Sequence, residues 1–261
     1  MTGIFDSGLG GLTALCEARR LMPQEDFIYF GDTGRVPYGT RSRETIIQYA
    51  EQAMRFFQSR NVSSVLAACG TVSSVALEFL KEKFDFPIIG VVEGAVESAL
   101  SKSKSKRIAI IGTSATISSA SFELALKKAC PEVKTLGIAC PLFVPLVENG
   151  FVSPDDIVTL EVAKRYLLPI KDFGADTLIL GCTHFPIIAE AISRILPSVT
   201  LINSGSEAAK KLLSSKTTTQ DGHGSTEYYV SDSPENFSSV ASIFLGEDFC
   251  GGVKKIEIQN Y

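Results

Sequence analysis

Two apolar runs in this chain end in a thiol. "VLAACGTVSS" at 65–74 stops at Cys69, Gly70 and Thr71, and "LILGCTHFPII" at 178–188 stops at Cys182, Thr183 and His184, one of only two histidines present. A buried free cysteine is ordinarily inert packing, and that reading suits Cys16, Cys130, Cys140 and Cys250. Cys69 and Cys182 differ because hydroxyls, and at 184 an imidazole, follow each thiol. They also stand at strand ends, where the amides of a following helix favour a thiolate. One activated cysteine beside a histidine base would suggest nucleophilic catalysis. Two on opposite walls of a cleft suggest proton transfer, a thiolate taking a proton from one face of a carbon while a thiol protonates the other. The outcome is stereoinversion, and the scheme needs no metal, flavin or pyridoxal phosphate. No CxxC or CxxH spacing is present to hold a structural zinc.

Positioning two thiols in this way requires two similar scaffolds, and the chain repeats itself. Short β-branched runs such as "FIYFGD", "SVLAACG", "RIAIIGT" and "TLILGC" alternate with helical-period segments at 41–60, 72–84, 119–129, 154–173 and 186–196. This alternation predicts an α/β fold with mostly parallel strands buried on both faces. An offset of about 108 residues matches Pro23 with Pro131 and Val36-Pro37 with Val144-Pro145; a slightly larger one matches Cys69 with Cys182 and Ala76 with Ala189. We therefore expect two pseudo-symmetric three-layer α/β domains with the site in the cleft between them, since ligands bind beyond the carboxyl ends of parallel strands. The expected boundaries are 1–95 plus 205–261 for the first domain and 96–204 for the second. The Ser/Lys run at 101–106 reads as a linker. The tail reads as a polar loop over 214–227, then a strand "YYVSD" and a helix packing back on the first domain.

Other strand ends carry polar residues suited to a small polar substrate. "FDSGLGG" places Asp6 and Ser7 before a glycine-rich turn whose amides could receive a carboxylate. A dinucleotide fingerprint is disfavoured there, because Thr13 stands where its last glycine belongs and Asp6 would repel a pyrophosphate. "GDTGRVPYG" brings Pro37, Tyr38 and Gly39 to a second turn, and "GTSAT" brings Thr113 and Thr116 to a third. Taken singly, each has an ordinary explanation: turn chemistry, a helix N-cap for Asp6, a satisfied core position for His184, a solvated carboxylate at a helix start for Glu148.

Composition removes other classes. A net charge of −4 with no basic run offers no footprint for nucleic acid or an anionic membrane. No apolar run approaches a membrane span. The apolar start leaves no room for an export signal, so a cytoplasmic location is expected, with the six cysteines as thiols.

The motifs "FDSGLGGL", "GDTGRVPYG", "ACGT", "GTSAT", "CPLFVPLVE" and "LGCTHFP", in this order across nearly the whole chain, resemble those of the cofactor-independent aspartate/glutamate racemase superfamily, and of its glutamate racemases most closely. The resemblance implies glutamate as substrate and D-glutamate supply for peptidoglycan, and hence for cell wall and cell shape. It implies Cys69 as the thiol facing the D-enantiomer and Cys182 as the one facing the L-enantiomer, assisted by Asp6 and His184 respectively, with Glu148 a second acid near His184. Asp6, Ser7, Pro37, Tyr38, Gly39, Gly70, Thr71, Thr116, Thr183 and His184 fall where the family holds its substrate, and a homodimer is a common family assembly. Two positions depart. The family's Cys-Asn-Thr is here Cys69-Gly70-Thr71, and Asn203 stands near where an Asp is usual. The missing amide allows a racemase of another small amino acid, or a weakly active relative retained as a binding protein. It also predicts that Gly70→Asn restores a donor and raises glutamate racemisation.

Overall fold

The computed structural model describes residues 1–216, 222–246 and 249–261. Its strands are β1 (Thr2–Asp6), β2 (Phe27–Gly31), β3 (Ser64–Ala67), β4 (Ile88–Gly90), β5 (Arg107–Gly112), β6 (Lys134–Ala139), β7 (Thr177–Leu180), β8 (Thr200–Asn203), β9 (Thr226–Val230) and β10 (Val253–Lys255). Its helices are α1 (Leu12–Leu21), α2 (Arg43–Ser59), α3 (Gly70–Val75), α4 (Leu77–Lys83), α5 (Val92–Lys102), α6 (Ser114–Ser118), α7 (Ser121–Ala129), α8 (Phe143–Glu148), α9 (Ile157–Phe173), α10 (Ala189–Ile195), α11 (Ser204–Ser215) and α12 (Pro234–Leu245).

The strands form two sheets, of order β10-β9-β2-β1-β3-β4 and β6-β5-β7-β8. Among the described residues every pairing is parallel, so each strand needs a crossover and its helices cover both faces. Four adjacent strands of the first sheet, β2-β1-β3-β4, have the order of the second sheet, which is the repeat seen in the sequence. Cys69 follows β3 and Cys182 follows β7, the equivalent strand of each sheet.

Strands β1, β2 and β3 are buried throughout, as continuous apolar runs require. On one face of the first sheet Phe5, Phe30 and Val65 join Ala50, Met54 and Phe57 of α2 in one apolar cluster. On the other, Ile4, Tyr29 and Leu66 belong to a cluster with α1, α11 and α12 that continues into the second sheet through Ile108, Ile110 and Ile179. Local caps set several boundaries. Ser42 accepts from the Thr45 amide at the start of α2, and Asp156 accepts from the Thr159 amide at 2.8 Å, so α9 begins at Ile157, later than the sequence periodicity predicts. Gly174, at φ +70°, closes α9 in the left-handed region that glycine adopts freely.

The Ser/Lys run at 101–106 is tied down: Asp176 accepts from Ser103 Oγ at 2.6 Å and from the amides of Lys104 and Ser105 at 2.8 and 2.6 Å. Burial works against the Asp176 charge, but these donors outweigh it and hold the carboxyl well below its usual range. The "YYVSD" strand is β9, paired with β2 as expected of a tail packing on the first sheet. Of the polar loop at 214–227, residues 217–221 lie outside the described residues. No helix among the described residues is long and apolar enough to cross a membrane.

Candidate active site

The carboxyl ends of the two sheets face each other across a cavity of about 310 Å³, walled by turns from both. Cys69 and Cys182 both line it, 5% and 6% exposed. Ser7, Pro37, Tyr38, Gly39, Gly70, Thr71, Thr183, His184 and Glu148 line it as well. Each sequence-derived candidate is thus brought to one place except two. Asp6 and Thr116 are each 1% exposed and lie behind the wall. Thr116 bonds to Thr113 Oγ1 at 3.0 Å, and Thr113 in turn bonds to Thr71 Oγ1 at 2.9 Å across the cleft, so Thr113 is the residue at the surface.

Two arrangements surround the two sulfurs, and they are not equivalent. Cys182 Sγ lies 3.9 Å from His184 Nδ1, and His184 Nε2 lies 3.0 Å from Glu148 Oε1. Burial pulls the His184 pKa down, yet its bonds to Cys182 and Glu148 dominate and lift it to about 10, so the imidazole is a cation near neutral pH. Phe244 packs edge-on to its ring at 5.2 Å, covering it from water. Glu148 sits at the C-terminal end of α8 rather than at a helix start, and is half-buried with its carboxylate on His184.

Among the described residues no cation stands out beside Cys69. Its Sγ donates to Ser7 Oγ at 3.3 Å, and burial, then the Asp6 charge, push the thiol up to about 12. A strand-end thiol lowered by the following helix is the expectation here; desolvation overrides it, because α3 is short and the thiol is buried. Asp6 itself is pushed up by burial, against the pull of His184 and of the Gly8 and Gly11 amides. The glycine-rich turn is therefore not a free anion receptor: Asp6 Oδ2 already takes the Gly8 amide at 2.9 Å.

Tyr38 is held from behind by its hydroxyl donating to Asp32, a fully buried carboxylate that also accepts from Arg35 Nε at 2.7 Å and Ser231 Oγ at 2.6 Å. Cys140, read as packing, lies in the cavity wall after β6. The strand-end rule that found Cys69 and Cys182 applies equally to "TLGIAC" and would have found it.

Both departures from the family pattern have local causes. Asn203 caps α11, accepting from the Gly205 and Ser206 amides at 3.0 and 3.1 Å, and does not reach the cavity. At Gly70 a Cβ would stand 2.0 Å from the carbonyl oxygen of Gly181, so an asparagine does not fit without moving one sheet from the other. The expectation that Gly70→Asn raises activity is overturned by this contact.

The His184 environment also predicts a pH dependence of stability. A folded-state pKa raised from 6.5 to about 10 contributes stability that is fully present below pH 6.5 and is lost as pH rises through 10. The melting-temperature gap between the parent and His184→Asn should therefore be widest near pH 6 and narrow by pH 10. A gap unchanged over that range would show the imidazole to be neutral in the fold.

The chain matches the family described as Asp/Glu/Hydantoin racemase over residues 9–212. The glutamate racemase of Aquifex aeolicus is 45% identical to it over 248 residues, 94% of either chain. Among solved structures, glutamate racemase from Francisella tularensis in complex with D-glutamate superposes with a TM-score of 0.90 at 36% identity, covering 100% of this chain and 98% of that one. A glutamate racemase isoform of Bacillus anthracis gives 0.92 at 32% identity, covering 98% and 97%.

Proposed function

We propose, for a chain that belongs to the Asp/Glu/Hydantoin racemase family, that Cys69 and Cys182 are the two acid–base groups that invert its substrate. The protein is an amino-acid racemase and the substrate is glutamate, whose D-enantiomer supplies peptidoglycan. The observation that carries the two-thiol reading is the placement of the sulfurs on equivalent strands of opposed sheets, lining one cavity. At about 310 Å³ that cavity stands at the small end of ligand pockets, which suits one glutamate.

In the L to D direction, Cys182 as thiolate takes the α-proton, breaking the Cα–H bond and leaving the electron pair on a planar carbon. The Cys69 thiol delivers its own proton to the opposite face. Cys182 ends as thiol and Cys69 as thiolate, and the reverse direction exchanges the roles. The His184 cation, held by Glu148, stabilises negative charge on the Cys182 sulfur. Cys69, pushed up to about 12, keeps its proton, as L to D turnover requires. For the reverse reaction, the α-ammonium of the bound substrate supplies the positive charge that the Cys69 side lacks. Ser7, Thr71, Thr183 and the turn at Pro37, Tyr38 and Gly39 hold the ammonium and carboxylates, with Asp6 and Thr116 acting from behind. Racemisation of another small amino acid and retention as a binding protein lack support among these relatives.

We place the reaction in the cytoplasm, a reducing compartment in which two catalytic thiols stay available. The domain boundaries we adopt are 1–95 plus 205–261 and 96–204, and a homodimer is the assembly we expect. The test of the function is incubation with L-glutamate in deuterated water without added cofactor. Loss of the α-proton signal should accompany decay of optical rotation to zero; an unchanged spectrum would refute the reading.

A further inference from the structure

Three glycines of the first sheet's turns meet the second half of the molecule where no side chain fits. A Cβ on Gly10 would stand 2.2 Å from Thr183 Oγ1 and 2.5 Å from His184 Nδ1. One on Gly39 would stand 2.8 Å from Thr113 Cβ, and one on Gly70, as above, 2.0 Å from the Gly181 carbonyl oxygen. None of the three has a positive φ, so the backbone does not call for glycine; the missing volume does. They lie beyond β1, β2 and β3 in turn, and their partners lie beyond β5 and β7, so the contacts stand at three separate points around the cavity. Bonds of the same kind run beside them, Thr13 Oγ1 to the Thr183 carbonyl oxygen at 3.1 Å and Thr71 Oγ1 to Thr113 Oγ1 at 2.9 Å.

Both sulfurs are nearly covered in this arrangement, so parting of the two halves eases the passage of glutamate, and the reacting geometry returns when they close again. We propose that Gly10, Gly39 and Gly70 are positioning residues for that closure: their absent side chains let the halves meet at the separation where both sulfurs face the substrate carbon, and a single methyl at any of them stops closure short. The inference rests on the racemase reading of the same cavity. It gives Gly70 a role in which a side-chain donor would be a hindrance.

The test compares Gly70→Ala and Gly39→Ala with the parent and with Gly252→Ala, a control position where nothing lies within 4 Å of the added carbon. Melting curves, the KM and kcat for L-glutamate, and the rate at which iodoacetamide labels Cys69, read by peptide mass spectrometry, are measured for each. Opening relieves the desolvation that keeps the Cys69 thiol protonated, so labelling should quicken by roughly tenfold or more in the two variants. KM should rise about tenfold if closure falls to a tenth of its parent population, since apparent affinity scales with the competent fraction. Gly252→Ala should match the parent. A folded Gly70→Ala or Gly39→Ala with parental KM and parental labelling would overturn the proposal, and so would failure of both to melt cooperatively, which would make the contacts fold-forming. Labelling needs no turnover. A parent that does not racemise glutamate, with faster labelling in the variants, would therefore refute the function while upholding the closure contacts.

Discussion

Cys69→Ser and Cys182→Ser should each lower the turnover of glutamate by about 10² to 10⁴-fold, the range for loss of one positioned acid–base group. A serine hydroxyl fits the space of a thiol but is a far weaker acid than a group of reference pKa about 8.5, so it neither becomes the base nor donates readily. The variants should differ in what survives. With Cys182 intact beside His184, Cys69→Ser should still exchange the α-proton of L-glutamate for deuterium with retention of configuration, because Cys182 can return a solvent-derived proton to the face it took one from. Cys182→Ser should do the same for D-glutamate through Cys69, more slowly, since burial and the Asp6 charge disfavour the thiolate there. Full racemisation by either variant would eliminate the two-base mechanism. Exchange of the opposite enantiomer would reverse the assignment of faces.

Replacing the supporting groups should cost nearly as much. His184→Gln removes the cation 3.9 Å from Cys182, and Asp6→Asn alters the charge behind Cys69. Each is expected to lower kcat/KM by about 10²-fold, the lower end for groups that assist proton transfer. Enantiomers have equal free energies, so kcat/KM must fall by the same factor in both directions, and only kcat and KM separately can reveal a side. The deciding measurement is the initial rate of deuterium incorporation from each enantiomer: His184→Gln should slow incorporation into L-glutamate more, Asp6→Asn that into D-glutamate. Equal slowing would mean that neither group serves one sulfur in particular.

Much of the site was legible because α/β folds place chemistry at strand ends, and a polar cluster after an apolar run marks such an end. Cys69, Cys182, His184 and the Tyr38 turn were found in this way. What stayed hidden depends on depth and on contacts between distant segments. Thr116 and Thr113 share one motif, and nothing in "GTSAT" tells which faces the cavity. Gly70 reads as a lost donor until the Gly181 carbonyl is seen against it. The raised pKa of Cys69 follows from burial and the Asp6 charge, which a local pattern does not encode. Strand β10 is three residues long and two of them are exposed lysines, so no apolar alternation announces it.

The order of strands in the first sheet has a consequence for how the chain is made. The four strands of the second sheet arise from one continuous stretch, Arg107 to Asn203, and can pair as they leave the ribosome. The first sheet begins earlier and finishes later: β2 keeps an open edge until β9 is synthesised about 200 residues downstream. An unpaired apolar edge of that kind is an invitation to pair with another nascent chain. Its closure also completes the cavity wall, since Ser231, just after β9, supplies a donor to the Asp32 that holds Tyr38. Vectorial synthesis thus leaves the first sheet waiting on a segment translated long after β2, and makes the interval before β9 emerges the time at which a holding chaperone matters most.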